Sequence, residues 1–207
     1  MFKLALFDVD STLINEEVID LLALQTTHAA RVAEITERAM AGELDFDSAL
    51  RERVSLLAGL PESIFSEVEQ QITFTTGAVS LIETLRARGI SVGVVSGGFH
   101  NVLNNLLQDL NLDFLRANSL EVIKGKLTGR TIGPIINRAA KAQALKEYAD
   151  QQATPLSQTI AIGDGSNDIE MIRLSGLGIS FCGKPIVEDA ADVAIRERNL
   201  LKVLDYL

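Results

Sequence analysis

The chain has 207 residues, 47% of them apolar and 23% charged, with a formal net charge of −9. That length holds one domain plus a sizeable insertion, and that balance gives a fillable core under an ordinary soluble surface. The acidic charge argues against a nucleic-acid-binding face, no apolar run approaches the about 18 residues that cross a bilayer, and a single cysteine excludes an internal disulfide.

The run Leu4–Phe7 stops at two carboxylates, Asp8 and Asp10. An apolar run bounded in this way reads as a parallel strand buried on both faces. The residues before it, one lysine in a short apolar stretch, lack the pattern of a secretory leader. From Asn15 to about Gln71 no strand is evident. Glu16–Leu24, Ala29–Met40, Phe46–Leu57 and Glu62–Ile72 carry helical periodicity, with Gly42, Gly59 and Pro61 as breaks. Beyond residue 77 the texture alternates. Val79–Arg88 reads as a helix ending at Gly89, Ile90–Val95 as a strand closed by Ser96-Gly97-Gly98, and Phe99–Leu110 as a helix. Residues 118–136 read as a hairpin turning near Gly125. A helix at Arg138–Ala149, a strand at Thr159–Ile162 and a helix at Ile169–Leu174 follow. Strands at Gly178–Phe181 and Val193–Ile195 and a closing helix at Leu200–Leu207 complete the chain. The alternation predicts an α/β fold, a doubly wound, mostly parallel sheet. Residues 15–72 form a helical insertion after its first strand, and 1–14 with 73–207 form the sheet domain. Cys182 ends an apolar stretch without a basic partner nearby, so it reads as a small core side chain. A lone thiol fits a reducing cytosol, and a cytoplasmic location is expected.

Three polar stations each follow a separate predicted strand: Asp8 with Asp10, Ser96, and Asp164. In open α/β sheets that carboxyl end is where ligands bind. The acidic pair is not an EF-hand, because Leu13 stands where the loop's glycine belongs. A metal-holding pair and a solvated turn both remain open. Ser96-Gly97-Gly98 either turns the chain and caps a helix or offers a hydroxyl and bare N–H groups to a phosphoryl oxygen. Gly163-Asp164-Gly165-Ser166-Asn167-Asp168 is either an Asx-rich turn or a set of hard oxygen ligands for Mg²⁺. If Asp8, Asp10, Asp164 and Asp168 share one pocket, each like-charge pair at about 4 Å costs roughly 4 kcal/mol at an effective dielectric of about 20. A phosphate could enter only beside a divalent cation and a fixed ammonium, and Lys141 on its predicted helix is the candidate.

Taken together, Asp8-Val9-Asp10-Ser11-Thr12, Ser96-Gly97-Gly98, Lys141 and the 163–168 segment resemble the motifs of the haloacid dehalogenase superfamily. From end to end the resemblance is to its phosphoserine-hydrolysing branch, including Glu17, Ala39–Glu43 and Arg51–Leu57 in the insertion. Ser166, Ala142 and Thr76 depart from that pattern without removing a functional group.

The resemblance implies a Rossmann-type core with a cap. It also implies hydrolysis of O-phospho-L-serine, the last step of serine biosynthesis, through an aspartyl-phosphate on Asp8. Asp10 would serve as acid and then base. The Asp8 carboxylate, the Asp10 carbonyl and Asp164 would ligate Mg²⁺, with Asp168 behind them. Ser96, the Gly97 N–H and Lys141 would hold the phosphoryl oxygens, with Asn167 beside them. Arg53 would take the substrate carboxylate and Glu17 its ammonium, with Met40 and Phe46 as walls. His100 reads as an ordinary surface or capping residue.

Rival readings are a phosphotransferase, or a phosphatase for phosphohomoserine or phosphothreonine. A phosphorylatable signalling receiver is a further rival, disfavoured by the insertion and by the acid at position 10. The partner expected is a small molecule, not nucleic acid or membrane.

Overall fold

Leu4–Phe7 forms the central strand, β1 (Leu4–Phe7), fully buried and paired in parallel on both sides. A strand covered on both faces needs apolar residues at every position. Ala5 and Phe7 enter one apolar layer, and Leu4 and Leu6 enter the other, as the two-residue period of a strand requires.

The computed structural model describes residues 1–207. After a kinked turn at Val9–Leu13 come four helices, α1 (Val18–Ala23), α2 (Ala29–Met40), α3 (Phe46–Ser55) and α4 (Ile64–Glu69). Then follow α5 (Ala78–Ala87), β2 (Ser91–Phe99), α6 (His100–Leu106), β3 (Phe114–Ile123) and β4 (Lys126–Ile132). The chain continues through α7 (Arg138–Gln151), β5 (Thr159–Gly163), α8 (Ile169–Leu174) and β6 (Leu177–Phe181). It closes with α9 (Pro185–Glu188), β7 (Val193–Ile195) and a 3₁₀ segment, Leu200–Tyr206.

The seven-stranded sheet runs β4-β3-β2-β1-β5-β6-β7. Every pairing is parallel except β3 with β4. Strand order reverses at β1, which puts a crevice at the carboxyl ends of β1, β2 and β5. Leu145 and Tyr148 of α7 and Met171 and Ile172 of α8 cover one face. Leu81 and Leu85 of α5 and Val102 and Leu103 of α6 cover the other. Val18, Leu22, Leu50, Val54, Ile64 and Val68 of the inserted helices join that second layer, so apolar packing continues from the sheet into the insertion.

Four elements differ from the sequence reading for physical reasons. Ser96-Gly97-Gly98 is not a turn: β2 continues through it to Phe99. A Cβ on Gly98 would lie 2.5 Å from Asp10 Oδ2, so this glycine serves close approach rather than a bend. The hairpin's first strand starts earlier, at Phe114, and pairs in parallel with β2 before turning to β4. Its alternation is obscured by Arg116, which lies over the Phe114 ring and pairs with Glu147 at 2.7 Å. The closing helix is 3₁₀ rather than α, and α9 escaped notice because one turn carries no period to read.

α8 presses on β6 at a glycine. A Cβ on Gly178 would meet the Ile172 carbonyl oxygen at 2.5 Å and Ile172 Cγ2 at 2.7 Å. Gly178→Ala is expected to cost about 1–3 kcal/mol through overpacking. Urea unfolding should show a lower midpoint at unchanged slope; an unchanged midpoint would show that the α8–β6 contact yields freely.

Candidate active site

Asp8 follows β1 directly. Its Oδ1 accepts from the Val9 N–H at 2.7 Å and meets Lys141 Nζ at 2.8 Å. Two residues on, Asp10 is extended (φ −60°, ψ 135°) inside the turn and Ser11 has φ +55°. The turn thereby brings the Asp10 carboxylate back under the end of β2. Its Oδ2 accepts from Ser96 Oγ at 2.8 Å, and its Oδ1 accepts from the Val18 N–H at 2.9 Å. The Gly98 N–H donates to Ser96 Oγ at 2.7 Å and fixes that hydroxyl.

From the end of β5, Asp164 Oδ1 accepts from Thr12 Oγ1 at 2.8 Å. Asp168 Oδ1 receives Lys141 Nζ at 2.6 Å, and its Oδ2 accepts from the N–H groups of Asp164 (3.2 Å) and Gly165 (3.0 Å). Lys141 rises from the first turn of α7, which Asn137 caps through the Ala140 N–H. Asp8, Asp10, Asp164 and Asp168 therefore share one crevice with one ammonium, and all five side chains are buried.

The charge balance shows in the ionisation of these groups. Burial, then Asp168, pushes the Asp8 carboxyl well above the usual range. Burial raises Asp10 against the hydrogen bonds from Val18 and Ser96. Burial, then Asp168, lifts Asp164 to about 7. Burial presses Lys141 toward neutrality, but Asp168 and Asp8 outweigh it and hold the ammonium charged. Asp8, Asp164 and Asp168 each bring an oxygen within 4.8 Å of the others. That is a hard-oxygen donor set with surplus negative charge, which fits a divalent cation.

The pocket above this crevice is lined by Asp8, Asp10, Glu17, Met40, Phe46, Arg53, Gly97 and Asn167, with Ile19, Leu50, Gly98 and Phe99 between them. Arg53 is 2% exposed. Its Nε donates to the Ala49 carbonyl (3.2 Å) and its Nη1 to Thr36 Oγ1 (3.0 Å), and it makes no ion pair within the chain. Thr36 in turn donates to Asp20 at 2.7 Å. Glu17 accepts from Ser11 Oγ at 2.7 Å, and burial, then Asp10, raises its carboxyl well above the ordinary range. Asn167 is buried, and its Oδ1 has no partner. An orphaned acceptor and an unpaired buried guanidinium together describe a place prepared for a polar ligand.

Asp8, Asp10, Ser96, Lys141, Asp164 and Asp168 thus meet in this crevice, and Glu17, Met40, Phe46, Arg53, Gly97 and Asn167 line the pocket above it. Asp10 keeps its carboxylate out of the acidic triad, whereas Asp168, expected behind the site, presents an oxygen to it. Ser96 caps no helix. Cys182 is half-buried rather than core, with φ +48° at the margin of the apolar layer. His100 ties α6 to β3, meeting Asn104 Oδ1 at 2.9 Å and accepting from the Ala117 N–H at 3.1 Å. Sequence reasoning missed Thr12, though it lies inside the first motif. It also missed Asn118, whose Nδ2 donates to the Gly97 carbonyl at 2.8 Å and whose Oδ1 accepts from the Ile136 N–H at 2.9 Å. No local signal marks an asparagine that props a strand.

The Asp164 shift has a thermodynamic sign. Below its ordinary value of 3.8 the carboxyl is protonated whether the chain is folded or not. Between there and about 7 only the folded chain keeps the proton. Cation-free stability is therefore expected to fall as pH rises through that window, by up to about 4 kcal/mol from this group. Urea midpoints measured in chelator from pH 5 to pH 8 check this. Asp164→Asn should flatten the fall, and an equally steep fall in the variant would contradict it.

A model of the haloacid dehalogenase-like hydrolases matches residues 5–173. The phosphoserine phosphatase of Streptococcus thermophilus is 51% identical over 204 residues, covering 99% of this chain and 95% of the relative. That of Methanocaldococcus jannaschii is 44% identical over 205 residues, covering 99% and 97%. A solved phospho-aspartyl intermediate analogue of phosphoserine phosphatase aligns at TM-score 0.96 and 44% identity, covering 100% of this chain and 99% of that one. A substrate-bound phosphoserine phosphatase aligns at TM-score 0.97 and 43% identity, with the same coverage. The chain belongs to the haloacid dehalogenase-like hydrolases.

Proposed function

We propose that the chain is a phosphomonoesterase that hydrolyses O-phospho-L-serine to L-serine and phosphate through an aspartyl-phosphate on Asp8. The observation that carries this reading is the buried Lys141 ammonium, 2.8 Å from Asp8 and 2.6 Å from Asp168, in the crevice that also holds the hydrogen-bonded Asp10–Ser96 pair. Relatives at 44–51% identity over nearly the whole chain bear the name of that activity.

Asp8 Oδ1 is held by Val9 and Lys141, and Oδ2 carries no hydrogen bond from the chain. Oδ2 is the oxygen assigned to attack phosphorus in line. As the P–O(serine) bond breaks, the carboxyl of Asp10, whose hold on a proton burial strengthens, gives its proton to the departing serine oxygen. Water then attacks phosphorus and passes its proton to Asp10, and the P–O(Asp8) bond breaks. Ser96, the Gly97 N–H and Lys141 stabilise the phosphoryl oxygens, and Asn167 contacts them or a water.

Mg²⁺ is the proposed ion, held by the Asp8 carboxylate, the Asp10 carbonyl and Asp164, with Asp168 orienting Lys141. It would offset the surplus charge and polarise the phosphoryl oxygens. Arg53 takes the serine carboxylate, and Glu17 takes the ammonium, between Met40 and Phe46. We assign residues 15–72 to a cap over the 1–14 and 73–207 core, moving as a lid. It is tied across by Ser166 Oγ to the Ala39 carbonyl (3.0 Å) and by Asn137 Nδ2 to Asp47 (2.9 Å). No helix is long and apolar enough to cross a membrane. With its lone free thiol, the enzyme is assigned to the cytoplasm.

Phosphate release from phosphoserine with Mg²⁺ is the direct test. Wild type should turn over, and Asp8→Asn should be slower by at least about a thousandfold. An unimpaired Asp8→Asn would sink the covalent route. Glu17→Gln and Arg53→Lys should each lower kcat/KM by about 10–100-fold, because a site built for charged ends is left with unpaired groups. Wild type equally fast on alkyl phosphates without amino or carboxyl groups would refute the pocket assignment.

A further inference from the structure

Arg198 belongs to the segment between β7 and the C-terminal 3₁₀ turn, and the reaction as written does not use it. Its side chain is exposed, where an arginine ordinarily stays hydrated and free. Here its guanidinium is spent on the outer side of the catalytic turn. Nε donates to Asn15 Oδ1 at 2.9 Å, and Nη2 lies 3.4 Å from the carbonyl oxygens of both Ser11 and Ile14. These three acceptors lie within five consecutive residues, and only a forked, planar cation serves all of them at once.

That turn has reason to need an outside hold. Ser11 is in the left-handed region at φ +55°, which side chains with a Cβ avoid. Its hydroxyl nevertheless must point at Glu17 Oε1, 2.7 Å away. Asn15 is also the joint where the chain enters the inserted helices and returns from them. Its N–H donates to the Thr73 carbonyl (3.0 Å), and its Nδ2 donates to Thr73 Oγ1 (2.9 Å) and to the Phe74 carbonyl (3.3 Å). The guanidinium thus reaches, through one turn, both Glu17 and the connection on which the cap is mounted.

We propose that Arg198 is a positioning residue. By holding the Ser11 and Ile14 carbonyls together with Asn15, it keeps the Ser11 hydroxyl on Glu17 and so keeps the ammonium subsite formed. The proposal rests on the phosphoserine reading and on the assignment of Glu17 within it. It separates two effects that a merely structural arginine would not. Loss of Arg198 weakens recognition of the substrate's amino group, while an ester without that group has nothing at Glu17 to lose.

The experiment compares wild type, Arg198→Met and Arg198→Lys on phosphoserine and on 3-phosphooxypropanoate, the same ester without its amino group. Rates are normalised to folded enzyme by thermal unfolding. For Arg198→Met, kcat/KM on phosphoserine should fall about 10–50-fold, mostly through KM, with less than about a threefold change on the des-amino ester. Arg198→Lys should lie between, and free guanidinium should restore part of the Arg198→Met loss. An unchanged kcat/KM on phosphoserine, or an equal fall on both esters, overturns the proposal. A wild type inactive on phosphoserine overturns the functional reading instead, and that shows before any variant is made.

Discussion

The structure turns on one buried ammonium among four buried carboxylates. Lys141 contacts Asp8 and Asp168 directly, and Asp10 and Asp164 share the same crevice. One positive charge against four negative ones cannot neutralise the set, and burial denies it the help of water. Asp8, Asp10 and Asp164 respond by holding their protons more tightly, and the remaining demand is for a cation. Burial raises the Asp10 carboxyl toward its acid form, and Asp168 and Asp8 keep Lys141 an anchored, charged donor. Buried ion pairs are weak contributors to stability on their own, so this arrangement is better understood through what it does to a phosphoryl group.

The backbone around this cluster is shaped to permit close approach. Gly98 passes within 2.5 Å of Asp10 Oδ2 where a Cβ would stand, and Gly163 within 2.4 Å of Asp168 Cγ. Each glycine admits a carboxylate where any side chain would exclude it. The apolar layers fix the three strand ends relative to one another, and side-chain props set the loops. Asn118 holds Gly97, Thr12 holds Asp164, and Arg198 reaches the turn at Ser11. The chemistry of the crevice thus depends on polar residues that do not line it.

Much of this was legible in the sequence because it rests on patterns with a period or a boundary. Buried parallel strands announce themselves as apolar runs, and chemistry at their carboxyl ends follows from topology. Asp8, Ser96 and Asp164 were found in that way. The helix Ala29–Met40 was read to the residue because its apolar face repeats cleanly. What escaped depends on tertiary approach. The glycines after Ser96 look like a turn until Asp10 is seen packed against them. Phe114–Ala117 looks like a loop until Arg116 is seen folding over its neighbour. Cys182 sits beside an apolar strand in sequence, but the chain turns at it with positive φ and leaves it half-exposed. Glu17 and Arg53 could be named only by resemblance, because a charged residue before or on a helix carries no mark of the pocket it will enter.

The central claim is that one carboxylate is esterified during turnover while Lys141 and a cation compensate the charge around it. The most direct measurement is rapid acid quench of the enzyme turning over phosphoserine, followed by peptide mass analysis. The account predicts a phosphoryl increment confined to the peptide that carries Asp8, appearing before free phosphate reaches its steady rate. Phosphate released with no modified peptide at any time, or a phosphoryl group on a different residue, would contradict it.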